Sequence, residues 1–260
     1  MKTFKTLLFA LTIVAFIPVS AQTADEIIDN YFENIGGKDN WEKVEAIKSV
    51  GEINYGGMML PIEQLRTKSG KQLTTAVVQG QTFYQQVFDG ETLWGTNQMT
   101  MAAEKSDAET TENFKNDLND FPSPFLNYKE KGYTLELLGK ETVDGTETYK
   151  IKLVKEPITV DGQKVDDVEF YYFDTENFVP IVMEKELMSG PGKGMVIQVK
   201  FSDYEEVDGL YFAFSINQGV KDMPSNGMGG ITLTEITINP EIDDTVFKFP
   251  ENKTTTDDKK

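Results

Sequence analysis

The sequence predicts a mainly β protein with a few helices. It forms an antiparallel sheet or barrel of about twelve strands, with a helix at the mature start and a helical excursion in the middle. Three observations carry this. From Ile47 onward apolar and polar residues alternate with period two, as in Tyr149/Ile151/Leu153 and Ile197/Val199/Phe201. Turn signals recur roughly every eight to twelve residues. Helical spacing is confined to residues 23–46 and 102–131.

The first 21 residues read as an export signal. Lys2 and Lys5 precede an apolar run from Leu7 to Ile17, and Val19-Ser20-Ala21 fits the small-residue cleavage rule. The run is too short for a stable membrane span. Cleavage is expected after Ala21, leaving 239 of 260 residues and moving the formal charge from −18 to −20 with the loss of two lysines. With Gln22 at the cut and no cysteine in the chain, lipidation is not expected. The expected product is soluble and periplasmic, with one domain over 22–250 and a disordered, apolar-free tail over 251–260.

The mature chain opens with a capping box, Thr23-Ala24-Asp25-Glu26, followed by the stripe Ile27, Ile28, Tyr31, Phe32, Ile35 and a Gly36-Gly37 stop. A short helix over 38–46 carries Trp41 and Val44. Strands then follow, separated at Gly70, Asp89-Gly90, Asp144-Gly145, 174–177 and Asp208-Gly209. The interruption at 102–131 predicts one helix over about 107–119 and a shorter one over about 124–130. It is either a solvated excursion or a cover.

Without cysteine or histidine, the chain has no disulfide, thiol nucleophile, Ser-His-Asp triad, or zinc site of Cys or His ligands. No metal, cofactor or catalytic residue is expected, and the protein is read as a non-enzyme. Acid pairs such as Asp166-Asp167 and Glu184/Glu186 are read as solvated strand faces rather than a glycosidase pair. The strong negative charge argues against nucleic acid, which requires a basic stripe.

Antiparallel connections alternate ends. Counted from Ile47, the odd ones are Gly56-Gly57, Gly80, the helical excursion, 156–163, 189–194 and 220–229. Eight of the nine mature methionines flank them: Met58, Met59, Met99, Met101, Met188, Met195, Met223 and Met228. Methionine is flexible and polarizable, suited to apolar surfaces that change contacts. It either plugs one end of the core or rings a greasy mouth under a helical cover. At about 0.8 kcal/mol per buried methylene, a sixteen-carbon chain enclosed there would gain about 12 kcal/mol before costs.

The run "FDGETLWGTNQ" at 88–98, "IEQLRTKSGKQL" at 62–73 and "ITINPEIDDTVFKFP" at 236–250 resemble the LolA/LolB-like lipoprotein-sorting family. The middle of the chain, 123–153, is similar to relatives of that family. The resemblance implies an incomplete antiparallel β-barrel of about eleven to twelve strands around a helical lid. It further implies a soluble periplasmic carrier or chaperone that sequesters lipoprotein acyl chains or another lipid. Such a carrier would work between an inner-membrane donor complex and an outer-membrane acceptor, without stable membrane insertion. A lipid-sensing or protein-interaction module on the same fold is the alternative. Expected ligand-binding residues are Met58, Leu60, Ile62, Phe83, Trp94, Met101, Tyr149, Ile151, Met195, Phe201, Phe214 and Met228. Arg66, the only arginine, stands where the family places a lid latch, or else is an exposed strand charge. Thr67 replaces the family's usual Pro.

Overall fold

A computed structural model of the chain describes residues 22–223 and 229–250. Helix α1 spans Ala24–Asn34. Its capping box is complete: Glu26 N–H donates to Thr23 Oγ1 at 3.2 Å, and Thr23 N–H donates to Glu26 Oε2 at 2.8 Å. At its end Gly36 (φ +108°) packs so closely on the Asp208-Gly209 turn that a Cβ would lie 2.1 Å from the Gly209 carbonyl oxygen, so only glycine fits. A single turn, α2 (Lys38–Trp41), buries Trp41.

Fifteen strands follow: β1 (Ala46–Tyr55), β2 (Met58–Thr67), β3 (Gln72–Val78), β4 (Gln81–Phe88), β5 (Leu93–Thr96), β6 (Ala103–Lys105), β7 (Thr134–Val143), β8 (Thr146–Val154), β9 (Ile158–Val160), β10 (Gln163–Val165), β11 (Val168–Asp174), β12 (Pro180–Glu186), β13 (Val196–Val207), β14 (Leu210–Val220) and β15 (Gly230–Ile238). Helix α3 (Ala108–Leu118) lies between β6 and β7. Thirteen strands form one antiparallel sheet in the order β6-β5-β4-β3-β2-β1-β15-β14-β13-β12-β11-β8-β7, with β9 and β10 a separate hairpin. Because β6 and β7 pair with no further strand among the described residues, the barrel is incomplete.

The inner face carries α1, α2 and the excursion. Its largest cluster joins Ile27, Ile28 and Phe32 of α1 with Phe125 and Leu126 of the excursion and Tyr149, Ile151, Tyr171 and Phe173 of the sheet. Phe125 meets Tyr171 at 4.8 Å and Phe173 at 5.4 Å, both edge-on. The second half of the excursion is therefore core. A second helix over 124–130 is not formed: turns replace it and lower Phe125 and Leu126 into the sheet.

The outer face is covered elsewhere. Leu65, Leu73, Val87 and Trp94 stand in register across β2–β5 beneath Phe247 and Phe249 of the C-terminal segment. Trp94 Nε1–H donates to the Phe247 carbonyl at 3.0 Å.

Candidate functional site

Strand register places the expected wall residues. Leu60 opposes Ile53, Ile53 opposes Ile231, Ile231 opposes Ile216, and Ile216 opposes Phe201. Directly opposed side chains share a face. These five form an apolar row across five strands, all half-buried. Next to it, Ile62 opposes Ala76, and Ala76 opposes Phe83. Phe214 lies two residues from Ile216, on the same face. Ile151 opposes Tyr171, Tyr171 opposes Met183, and Met183 opposes Val199, which extends this face to the far side of the sheet. Tyr149 joins it opposite Phe173. Leu60, Ile62, Phe83, Tyr149, Ile151, Phe201 and Phe214 therefore share the inner face. Trp94 does not: it faces outward under the C-terminal segment.

Met58, Met59, Met101 and Met223 are exposed, and Met195 is half-buried. Their connections share one edge of the sheet. Met59 and Met223 line a common cavity of about 1070 Å3 with Asn54, Gln198, Lys200 and Asn217. No residue of α3 lines it, and its lining mixes polar and apolar surface. Met228 lies outside the described residues. The excursion also starts from the opposite edge to the one expected, because β6 adds a strand after the Met99–Met101 turn.

The buried face of α3 packs on the sheet. Phe114 packs against Phe88 at 5.2 Å, with Leu93 and Leu118 completing the contact. Asn113 exchanges hydrogen bonds with the backbone of Thr159, and Glu109 accepts from Asp161 and Gly162 N–H, tying α3 to the β9–β10 hairpin.

Beyond α3 the inner space holds ions. Lys155, 4% exposed, lies 2.8 Å from Asp120 Oδ2, 2.8 Å from Glu169 Oε1, 3.3 Å from Asp167 Oδ2 and 3.5 Å from Asp117 Oδ1. Lys185 reaches Asp167 at 2.6 Å and Glu169 at 3.3 Å. Burial works to raise the Glu169 carboxyl, but the two lysines outweigh it and hold it below its ordinary value. Burial raises Asp117, and Lys155 only partly offsets it. Burial would lower Lys155, yet its four carboxylates hold it above the ordinary lysine value. On the outer face Glu184 is likewise buried and accepts from Tyr172 Oη, Gln198 Nε2 and Lys221 Nζ at 2.8–2.9 Å. Asp167 and Glu184 are thus interior, not solvated as the sequence suggested, while Asp166 and Glu186 are exposed.

Arg66 stands on the inner face in line with Leu60, Ile62 and Gln64. Its guanidinium lies over the Phe121 ring at 5.7 Å.

Scans for a matching family model and for a curated relative return none. Solved structures do match. A LolA superfamily protein of Nitrosomonas europaea is 13% identical over 88% of this chain and 98% of its own, with TM-score 0.52. A DUF1329 family protein of Desulfovibrio piger is 14% identical over the same shares, with TM-score 0.53. A domain of Vibrio parahaemolyticus described as an outer membrane lipoprotein-sorting protein is 12% identical over 85% and 94%, with TM-score 0.50. The chain therefore has the LolA-like fold. Among the described residues no helix is long and apolar enough to cross a membrane.

Proposed function

We propose that this is an exported periplasmic protein that holds an acyl chain of a lipoprotein or another lipid on the inner face of its sheet. The row Leu60–Ile53–Ile231–Ile216–Phe201 carries this reading: five apolar side chains, half-open, side by side on the inner face of the central strands β2, β1, β15, β14 and β13. Ordinary cores bury such residues; a row left open on a concave face suits an apolar guest. The site is an open shelf bordered by a fixed excursion, not a chamber under a swinging lid. Tyr55 and Met58 oppose each other at the end of β1–β2, on the same face as Leu60, and are exposed. They extend the shelf to the rim, where a guest would enter. The same rim would also suit a protein partner in a non-transporting module.

Native mass spectrometry of protein recovered from its own cell envelope tests the proposal. Co-purifying acyl-chain mass is expected. Protein that is empty as isolated, and that takes up no fatty acid when offered one, would instead favour the interaction module.

A further inference from the structure

Arg66 is the only arginine and has no partner suited to its donors. Among the described residues no carboxylate lies within 4.0 Å of it and none of its N–H groups makes a hydrogen bond; its neighbour is the Phe121 ring. A guanidinium presents five donors in a planar fork that matches carboxylate or phosphate oxygens. No Arg66 nitrogen is both fully shielded and unpaired, so the unspent donors keep contact with solvent. The nearby acids are committed elsewhere: Asp120 accepts from Lys155 and from Tyr133, and Asp117 pairs with Lys155. Burial lowers the Arg66 pKa, with Asp120 and Asp117 opposing. A second cation stands close by. Lys131 donates to the Ser123 carbonyl, and burial, together with Lys155 and Arg66, lowers it to about 8 despite Asp120.

The inner face of β2 changes character along its length. From the rim inward it reads Met58, Leu60, Ile62, Gln64, Arg66. At about 3.3 Å per residue, Arg66 lies roughly 20 Å from Leu60 along the strand. Its rim end, Met58 and Leu60, is apolar and open, Ile62 below them is buried, and the far end is an unspent cation.

We infer that the shelf binds an anionic amphiphile, with its carboxylate or phosphate head at Arg66 and its tail along Ile62, Leu60 and the row beyond. This rests on the acyl-chain reading above and names the ligand's head. It also replaces the latch role: Arg66 receives a ligand rather than tying down the excursion, which Lys155, Phe125 and Leu126 already fix.

Calorimetric titration of the purified protein with dodecanoate, dodecyl phosphate and 1-dodecanol tests it, with acetate and inorganic phosphate as chainless controls. The wild type should bind the two anionic amphiphiles about tenfold or more tighter than the alcohol and the chainless anions not measurably. Arg66→Met should abolish that preference while leaving alcohol binding within about twofold. Arg66→Lys, which keeps the charge and guards against misfolding, should retain part of it. Equal wild-type affinity for acid and alcohol, or equal loss of both in Arg66→Met, overturns the head assignment and leaves the acyl shelf standing. Chainless anions binding as tightly as dodecanoate overturn it in favour of a simple anion site. Failure of all three twelve-carbon probes overturns the shelf as well.

Discussion

Lys155 donates to Asp120 Oδ2 across 2.8 Å, joining the segment after α3 to the end of β8 with side chains only 4% and 16% exposed. The same ammonium faces Glu169 and Asp167, so removing it leaves these two buried carboxylates with only Lys185 as an ion-pair partner. Breaking a buried pair from one side costs about 3–5 kcal/mol. Lys155→Met should lower the urea-unfolding free energy by about that much, whereas Lys140→Met, at an exposed pair with Glu147, should leave it unchanged.

Acid should unfold the protein through Glu169 and Glu184. Burial pushes both up, but their partners outweigh it and leave both below the ordinary glutamate value. A carboxylate whose folded pKa is depressed contributes stability that is complete above its unfolded pKa, about 4.3, and is lost as pH falls through the folded value. Asp117 runs the other way, since its raised pKa lets the folded state take up a proton first. Urea midpoints should therefore fall below about pH 4.3, and Glu169→Gln should flatten that decline.

Phe125 and Phe83 separate fold from site. Phe125 is 2% exposed among Tyr31, Tyr171 and Phe173, so Phe125→Ala should cost about 3–5 kcal/mol. Phe83 is half-open on the shelf, and Phe83→Ala should cost less than half of that while weakening fatty-acid binding. A Phe125→Ala protein as stable as wild type would mean that the excursion is detachable after all.

On the opposite face, Phe247→Ala should remove the cover from Trp94, lower stability by about 3–5 kcal/mol and shift tryptophan emission to the red. Binding on the inner face should persist at temperatures where the variant remains folded.

Much of the architecture was legible because it is local. The capping box, the period-two alternation and the Asp-Gly turns each follow from neighbouring residues. Side assignment was not. Trp94 sits in a strand of four residues, too short for its alternation to be read, and its face is decided by Phe247, more than 150 positions away. Asp167 looked solvated because nothing near it in sequence announces Lys155 or Lys185 as a partner. The parity of the turns placed the methionine-bearing connections on one sheet edge, but the exposure of Met58, Met59, Met99, Met101 and Met223 depends on what packs there, which no single segment encodes. The shelf residues Leu60, Ile62, Phe83, Phe201 and Phe214 could be placed on a strand face, yet only register shows which rows they form.

Titrating hexadecanoate into wild-type protein and into Ile216→Glu, at matched and verified folding, tests the shelf most directly, because Ile216 lies in the middle of the open row. Saturable binding to the wild type, weakened about tenfold or more by the buried charge, is the predicted result. No saturable binding to the wild type, or equal affinity in both proteins, would contradict the account.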